Sequence, residues 1–187
     1  QMCIRDRIGT DEGIYIYAYA TETFTYFDLT TPNNVRITSI VNHILQDKDG
    51  NLWFSTNGQG LFRYNLSKNY LEQYEFASAF GIVASTMADS DNQIWALTNQ
   101  GESGVYKLNK AENKFEPFGL LYNAGNHHSQ ALAMLEDSEQ TLWLGTWECG
   151  LQKIDKYTRQ TTTYLHPTDG KGVTHIHSLM EYAPHQL

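Results

Sequence analysis

The sequence predicts an all-β fold built from a repeated four-stranded antiparallel unit, and three observations carry the prediction. Four short apolar or aromatic segments recur as a set about every 40 to 50 residues. Each segment has the length of a strand rather than a helix and is bounded by Gly, Asn, Asp or Ser. Tyr, Phe and Trp make up 13% of the 187 residues while Pro is scarce, which is the bias of side chains that pack on a pleated surface.

The clearest copy occupies residues 37–76, with segments a to d in order. Segment a is the apolar stretch 40–45, and the turn Asp47-Lys48-Asp49-Gly50-Asn51 leads from it into b, Leu52-Trp53-Phe54-Ser55-Thr56. The loop 57–60 leads to c, Leu61-Phe62-Arg63-Tyr64, and d is Tyr70-Leu71-Glu72-Gln73-Tyr74. Residues 80–118 repeat the set with Asp89, Trp95 and Thr98 in the places of Asp47, Trp53 and Thr56. Residues 129–165 repeat it again with Asp137, Trp143 and Thr146. An incomplete copy spans 8–30: Ile8-Gly9-Thr10 aligns with Phe54-Ser55-Thr56, Arg7 falls where Trp is expected, and 14–17 and 24–27 supply c and d. Residues 175–182 repeat segment a alone, and residues 1–7, which match nothing in the unit, are expected to be a foreign or mis-assembled tail.

One such sheet cannot bury both of its faces, and radial stacking of several is the stable solution. The expected architecture is therefore a partial β-propeller of three complete and two partial blades. Trp53, Trp95 and Trp143 then pack blade against blade, since a ligand does not need one tryptophan in every blade. The arc is expected to stay open, with no ladder between residues 175–182 and the strand near 8–10.

Lys and Arg number 13 against 21 Asp and Glu, and the formal charge of −8 argues against nucleic acid as a partner. No apolar run approaches the roughly 20 residues that cross a bilayer, so no membrane contact by this chain is expected, and no signal peptide opens it. Cys3 and Cys149 form no disulfide framework. His127-His128 and His175-x-His177 lack a third ligand at a recognisable spacing, and Asp47 to Asn51 lacks the distal bidentate Glu of a calcium loop, so neither metal nor cofactor is expected. The Asp-Gly pair reads as a hairpin turn instead.

The run Asp47-x-Asp49-Gly50-Asn51-Leu52-Trp53-Phe54-Ser55-Thr56-x-Gly58-x-Gly60-Leu61-x-x-Tyr64, with its counterpart over residues 135–154, resembles the repeat of two-component regulator propellers. The resemblance extends over nearly all of residues 8–182, although the turns at 91–93 and 139–141 lack the family's Asp-Gly. It implies a seven-bladed parent in the sensor region of a bacterial hybrid two-component histidine kinase, located in the periplasm, and possible as a homodimer. It further implies a non-catalytic part that detects an oligosaccharide and signals to a kinase beyond the chain. A protein-binding scaffold and a sialidase-like hydrolase are the alternatives; Gly50 followed by Trp53 is similar to a sialidase Asp-box, with its acids out of register.

Alternating strands put the a-b and c-d turns on one face of the disc and the b-c and d-a loops on the other. The second set, at 33–39, 57–60, 80–85, 99–104, 123–130 and 147–150, is rich in Asn, Gln, Trp, Arg and His, which suit sugars. Trp147, an extra Trp outside the packing position, is the sharpest candidate ligand contact, with Arg36, Gln59, Glu102, His127 and His128 as polar neighbours. Alternatively, Trp147 covers the next blade.

Overall fold

A computed structural model of the chain describes residues 5–76, 81–98, 104–120, 130–147, 149–164, 175–183 and 186. Among the described residues there is no helix, and the strands form four antiparallel sheets in which neighbours in sequence are neighbours in space. Blade 1 contains β1 (Arg5–Thr10), β2 (Gly13–Ala18) and β3 (Thr23–Tyr26). Blade 2 contains β4 (Val41–Gln46), β5 (Leu52–Thr56), β6 (Leu61–Asn65) and β7 (Tyr70–Tyr74). Blade 3 contains β8 (Val83–Ala88), β9 (Ile94–Thr98), β10 (Gly104–Asn109) and β11 (Lys114–Leu120). Blade 4 contains β12 (Gln130–Glu136), β13 (Leu142–Trp147), β14 (Leu151–Ile154) and β15 (Thr161–Tyr164).

The recurring Asp shapes the turn between the first two strands of blades 2, 3 and 4. One oxygen of Asp47 accepts the backbone N–H groups of Asp49 (3.0 Å) and Asn51 (2.8 Å), and Asp89 and Asp137 do the same for the residues two and four positions on. The third residue after each Asp takes a left-handed conformation: Gly50 at φ 80°, Asn92 at 57° and Gln140 at 62°. Glycine adopts it without steric cost, and the same hydrogen bonds hold Asn and Gln there in the later copies. The other carboxylate oxygen accepts the indole N–H six residues on, at 2.8 Å from Trp53, 3.0 Å from Trp95 and 2.7 Å from Trp143. Turn and core are thereby tied through one side chain.

The recurring Thr closes the other end of the second strand. Thr56 Oγ1 donates to Gly60 O (2.6 Å) and accepts Gln59 N–H (3.1 Å); Thr146 repeats this with Gly150 and Cys149. Thr10 makes the same pair of bonds with Gly13 and Glu12, which places β1 as a second strand of its blade.

Burial sits between blades. All five residues of β5 and of β9 are buried, because neighbours cover both faces. Alternate residues serve opposite interfaces: Ile94 and Ala96 pack on Trp53, whereas Trp95 and Leu97 pack on Ala131, Leu142 and Leu144. The interface of blades 1 and 2 is built from Ile14, Phe27, Ile37, Phe54 and Phe62. Opposite each Trp, the third strand carries a cation over the indole: Arg63 at 5.6 Å, Lys107 at 5.2 Å and Lys153 at 5.7 Å.

Two expectations about the ends change. β1 begins at Arg5, not at Ile8, with Arg5, Asp6 and Arg7 in register with Ala18, Tyr17 and Ile16. Residues 175–182 do not form a regular strand; only His175 makes a bridge, to Trp147. The reason is that a ladder needs a second strand, and no further sheet is present among the described residues. The segment nonetheless sits where a first strand belongs. The Trp147 to His175 bridge repeats that of Asn57 to Ile82, and Ser138 donates by its N–H (2.8 Å) and hydroxyl (2.7 Å) to Glu181 as Ser90 does to Glu136. β1 pairs with β2 alone among the described strands, so the arc is open.

Candidate functional site

Contacts between turns sort the loops onto two faces. On one face the amide N–H of Lys48 donates to Asn92 Oδ1 (3.0 Å), and Asn92 donates to Asp49 (2.8 Å), joining the first turns of blades 2 and 3. Lys156, from the last turn of blade 4, is buried there between Glu136 (2.7 Å), Asp91 (3.2 Å) and Asp89 (3.7 Å). Burial works against its charge, but the hydrogen bonds to Glu136 and Asp91 and the negative charges outweigh it and hold its pKa above the ordinary lysine value. This ionic cluster holds blade 4 to blade 3.

The opposite face carries the loops with the sugar-compatible side chains. Gln59 Oε1 accepts the backbone N–H groups of Thr38 (2.8 Å) and Ser39 (3.0 Å), and its Nε2 donates to Arg36 O (2.9 Å). The amide thus staples the 57–60 loop to the connection from blade 1. The Arg36 side chain pairs with Asp28 at 2.7 Å, and both groups are exposed. Gly58 and Gly60 N–H groups converge on Gly81 O at 3.3 and 2.7 Å. A Cβ on Gly60, at φ 77°, would stand 2.4 Å from Tyr74 O, so glycine is required at this crossing.

Trp147 is 41% exposed, with His175 at 3.8 Å and His177 at 5.9 Å between ring centroids. The two imidazoles stack at 12° to one another and stand edge-on to the indole. Trp147 therefore meets the His175-x-His177 segment rather than Arg36 and Gln59, which are joined to each other between blades 1 and 2. Glu102, His127 and His128 lie outside the described residues. No group of three His, Cys, Asp or Glu is placed to hold a metal ion among the described residues.

Gln59, a candidate ligand group by sequence, is a staple instead, and its own loop carries no sign of it because the partners lie some twenty residues earlier. The constant spacing of six residues between Asp and Trp is the sequence signal of their bond.

Residues 34–58 match the model of the two-component regulator propeller family. No curated protein matches the chain. Among solved structures, the extracellular domain of the putative hybrid two-component system BT4673 from B. thetaiotaomicron superposes with a TM-score of 0.68 at 24% identity, over 85% of this chain and 20% of that one. The corresponding domain of BT3049 from the same organism gives 0.66 at 20% identity, over 86% and 22%. A streptogramin B lyase gives 0.61 at 19% identity, over 86% and 54%. The chain spans about a fifth of the length of the first two. These likenesses establish the fold, and the lyase shows that the fold also serves enzymes. Residues 34–58 carry a two-component regulator propeller repeat, and the chain around them is an open segment of a β-propeller.

Proposed function

We propose that the chain is part of a non-catalytic, extracytoplasmic sensor propeller of a hybrid two-component regulator, lying in the periplasm and detecting a carbohydrate fragment. The observation that carries this reading is the family match at residues 34–58, which takes in the first strand, the Asp turn and the Trp53 to Thr56 segment of blade 2. The likeness to extracellular domains of putative hybrid two-component systems supports the same placement. Ligand shifts the receptor only as far as its affinities for two arrangements differ, and a kinase outside the chain reads that shift.

The test is calorimetric titration of the intact parent ectodomain with neutral and acidic oligosaccharides, followed by chromatography of the recovered sugar. Saturable binding with the sugar returned unchanged is expected. Turnover overturns the non-catalytic reading, and absence of binding by every oligosaccharide replaces the sensor with a protein-binding scaffold.

A further inference from the structure

A cleft of about 550 Å³ runs along the outer edge of blade 2, lined by Thr31, Asn33, Tyr70, Glu72, Gln73 and Glu75. A second cavity of about 210 Å³ shares Gln73 and Glu75 with it and continues to the Gly58 to Gly60 loop and Gly81. Their common lining makes one continuous groove from the blade edge onto the face that carries Gln59. We propose that this groove binds a neutral oligosaccharide, with Tyr70 as the stacking surface and Asn33, Gln73 and Glu75 as its hydrogen-bonding groups.

The walls are already set. On one side is β7, the last strand of its sheet, whose outer edge has no partner among the described strands. On the other is a tight loop in which Thr31 N–H donates to Val35 O (2.9 Å), Asn34 N–H to Thr31 O (2.8 Å) and Val35 N–H to Thr31 Oγ1 (3.1 Å). A cleft with both walls held by their own hydrogen bonds loses little conformational freedom when a ligand enters.

Its polar groups are available. Tyr70 is 42% exposed, and its hydroxyl, the Asn33 amide and the Glu75 carboxylate make no hydrogen bond among the described residues. Gln73 donates through Nε2 to Gln59 O at 2.9 Å, which orients the amide and leaves its oxygen unengaged. A planar amide, a carboxylate and an exposed aromatic ring are the set that meets hydroxyls on a ring's rim and the apolar face of the ring itself.

Charge selects among sugars. Glu72 is paired with Arg63 at 2.5 Å and accepts the Tyr74 hydroxyl at 2.9 Å, so it is neutralised. Glu75 is not paired, and no Lys or Arg lines the groove. A uronate or sulfated sugar would set its anion against Glu75 without a compensating cation, whereas a neutral sugar offers that carboxylate two hydroxyl donors. An extended peptide adding to the β7 edge is less suited, because such a strand needs apolar pockets for alternate side chains and this lining is polar.

The choice of a sugar rests on the sensor reading above; the location and the neutral charge rest on the groove. The experiment is a set of amide correlation spectra of the 187-residue chain, titrated with malto-, cello-, xylo- and mannohexaose, with oligogalacturonate and chondroitin sulfate hexasaccharides, and with an arginine-rich extended peptide. At least one neutral hexaose is expected to shift the amides of Tyr70, Gln73 and Glu75, and Tyr70→Ala to weaken that titration about tenfold or more. The Tyr70→Ala spectrum outside the groove must superpose on that of the unaltered chain, which separates lost binding from lost folding. Shifts confined to Trp147 and unaffected by Tyr70→Ala overturn the groove and leave the sensor standing. Acidic sugars or the peptide binding at β7 instead overturn the neutral-sugar assignment. No response to any neutral hexaose also overturns it, while the separate titration of the ectodomain decides the sensor reading.

Discussion

Removing the Asp47 carboxylate by Asp47→Ala tests whether the turn-to-indole link, rather than apolar packing alone, holds each blade interface. Asp47 is 7% exposed and accepts four hydrogen bonds: from the N–H groups of Asp49 (3.0 Å) and Asn51 (2.8 Å), Asn51 Nδ2 (2.9 Å) and Trp53 Nε1 (2.8 Å). Asp49 reaches solvent and regains a bond to water, but the Asn51 N–H, the Asn51 Nδ2 and the indole N–H are buried and are left without an acceptor. Three buried orphan donors at about 1 kcal/mol or more each give an expected loss of at least about 3 kcal/mol. Asp47→Asn keeps one oxygen for the turn but turns an NH₂ toward the indole N–H, and about 1–3 kcal/mol is expected. Asp137→Ala serves as the internal control, because Asp137 and Trp143 are only half-buried and water replaces the carboxylate; about 1–2 kcal/mol is expected. Equilibrium urea unfolding followed by tryptophan emission and by far-ultraviolet dichroism gives the three values. A loss below about 0.5 kcal/mol for Asp47→Ala, or equal losses at 47 and 137, would show that apolar packing alone holds the interface.

Lys156→Met leaves the buried carboxylates of Asp89 and Glu136 without their cation, and a loss of about 3–5 kcal/mol is expected. Because the folded pKa of Lys156 is raised, its contribution is complete below the ordinary lysine value and fades only as pH rises through the higher folded one. The difference between the two proteins is therefore constant from about pH 6 to about pH 9, and a slope in that range contradicts the assignment. His43 has the opposite sign: burial lowers its pKa, and Nδ1 accepts from Thr86 N–H at 3.5 Å. The unfolded chain then binds the proton more readily, so His43 costs stability as pH falls below about 6.5. His43→Gln is expected to flatten that acid limb of urea midpoint against pH, and an unchanged slope rules His43 out as its source. Gly145→Ala places a methyl 2.6 Å from Ile176 O and 2.7 Å from its Cγ2, and is expected to speed hydrogen exchange at the Ile176 amide, which donates to Thr146 O at 3.0 Å. Exchange unchanged at Ile176 would show that the segment is held by something else.

Whatever a backbone and its nearest neighbours decide is legible in this chain's residues alone. The Asp at a constant six residues before Trp, the left-handed position three residues after that Asp, and the Thr at the end of the second strand all act within a few residues of themselves. Such chemistry repeats whenever its letters repeat, so the three complete blades and their strand order are legible directly. The departures come where contacts span distant residues. The same amide that looks like a sugar contact in a loop is a staple in the structure, because radial packing brings Gln59 against residues 36–39. Trp147 differs from Trp143 only in lying beyond the last interface position, and it meets His175, some thirty residues on. Lys156 pairs with Asp89 and Asp91 across a blade boundary, and the β7 groove exists only because residues 31–33 stand beside an edge strand forty residues later. Local hydrogen bonding is written once per repeat, whereas which surfaces face each other depends on the rotation between blades, and no single repeat encodes that rotation.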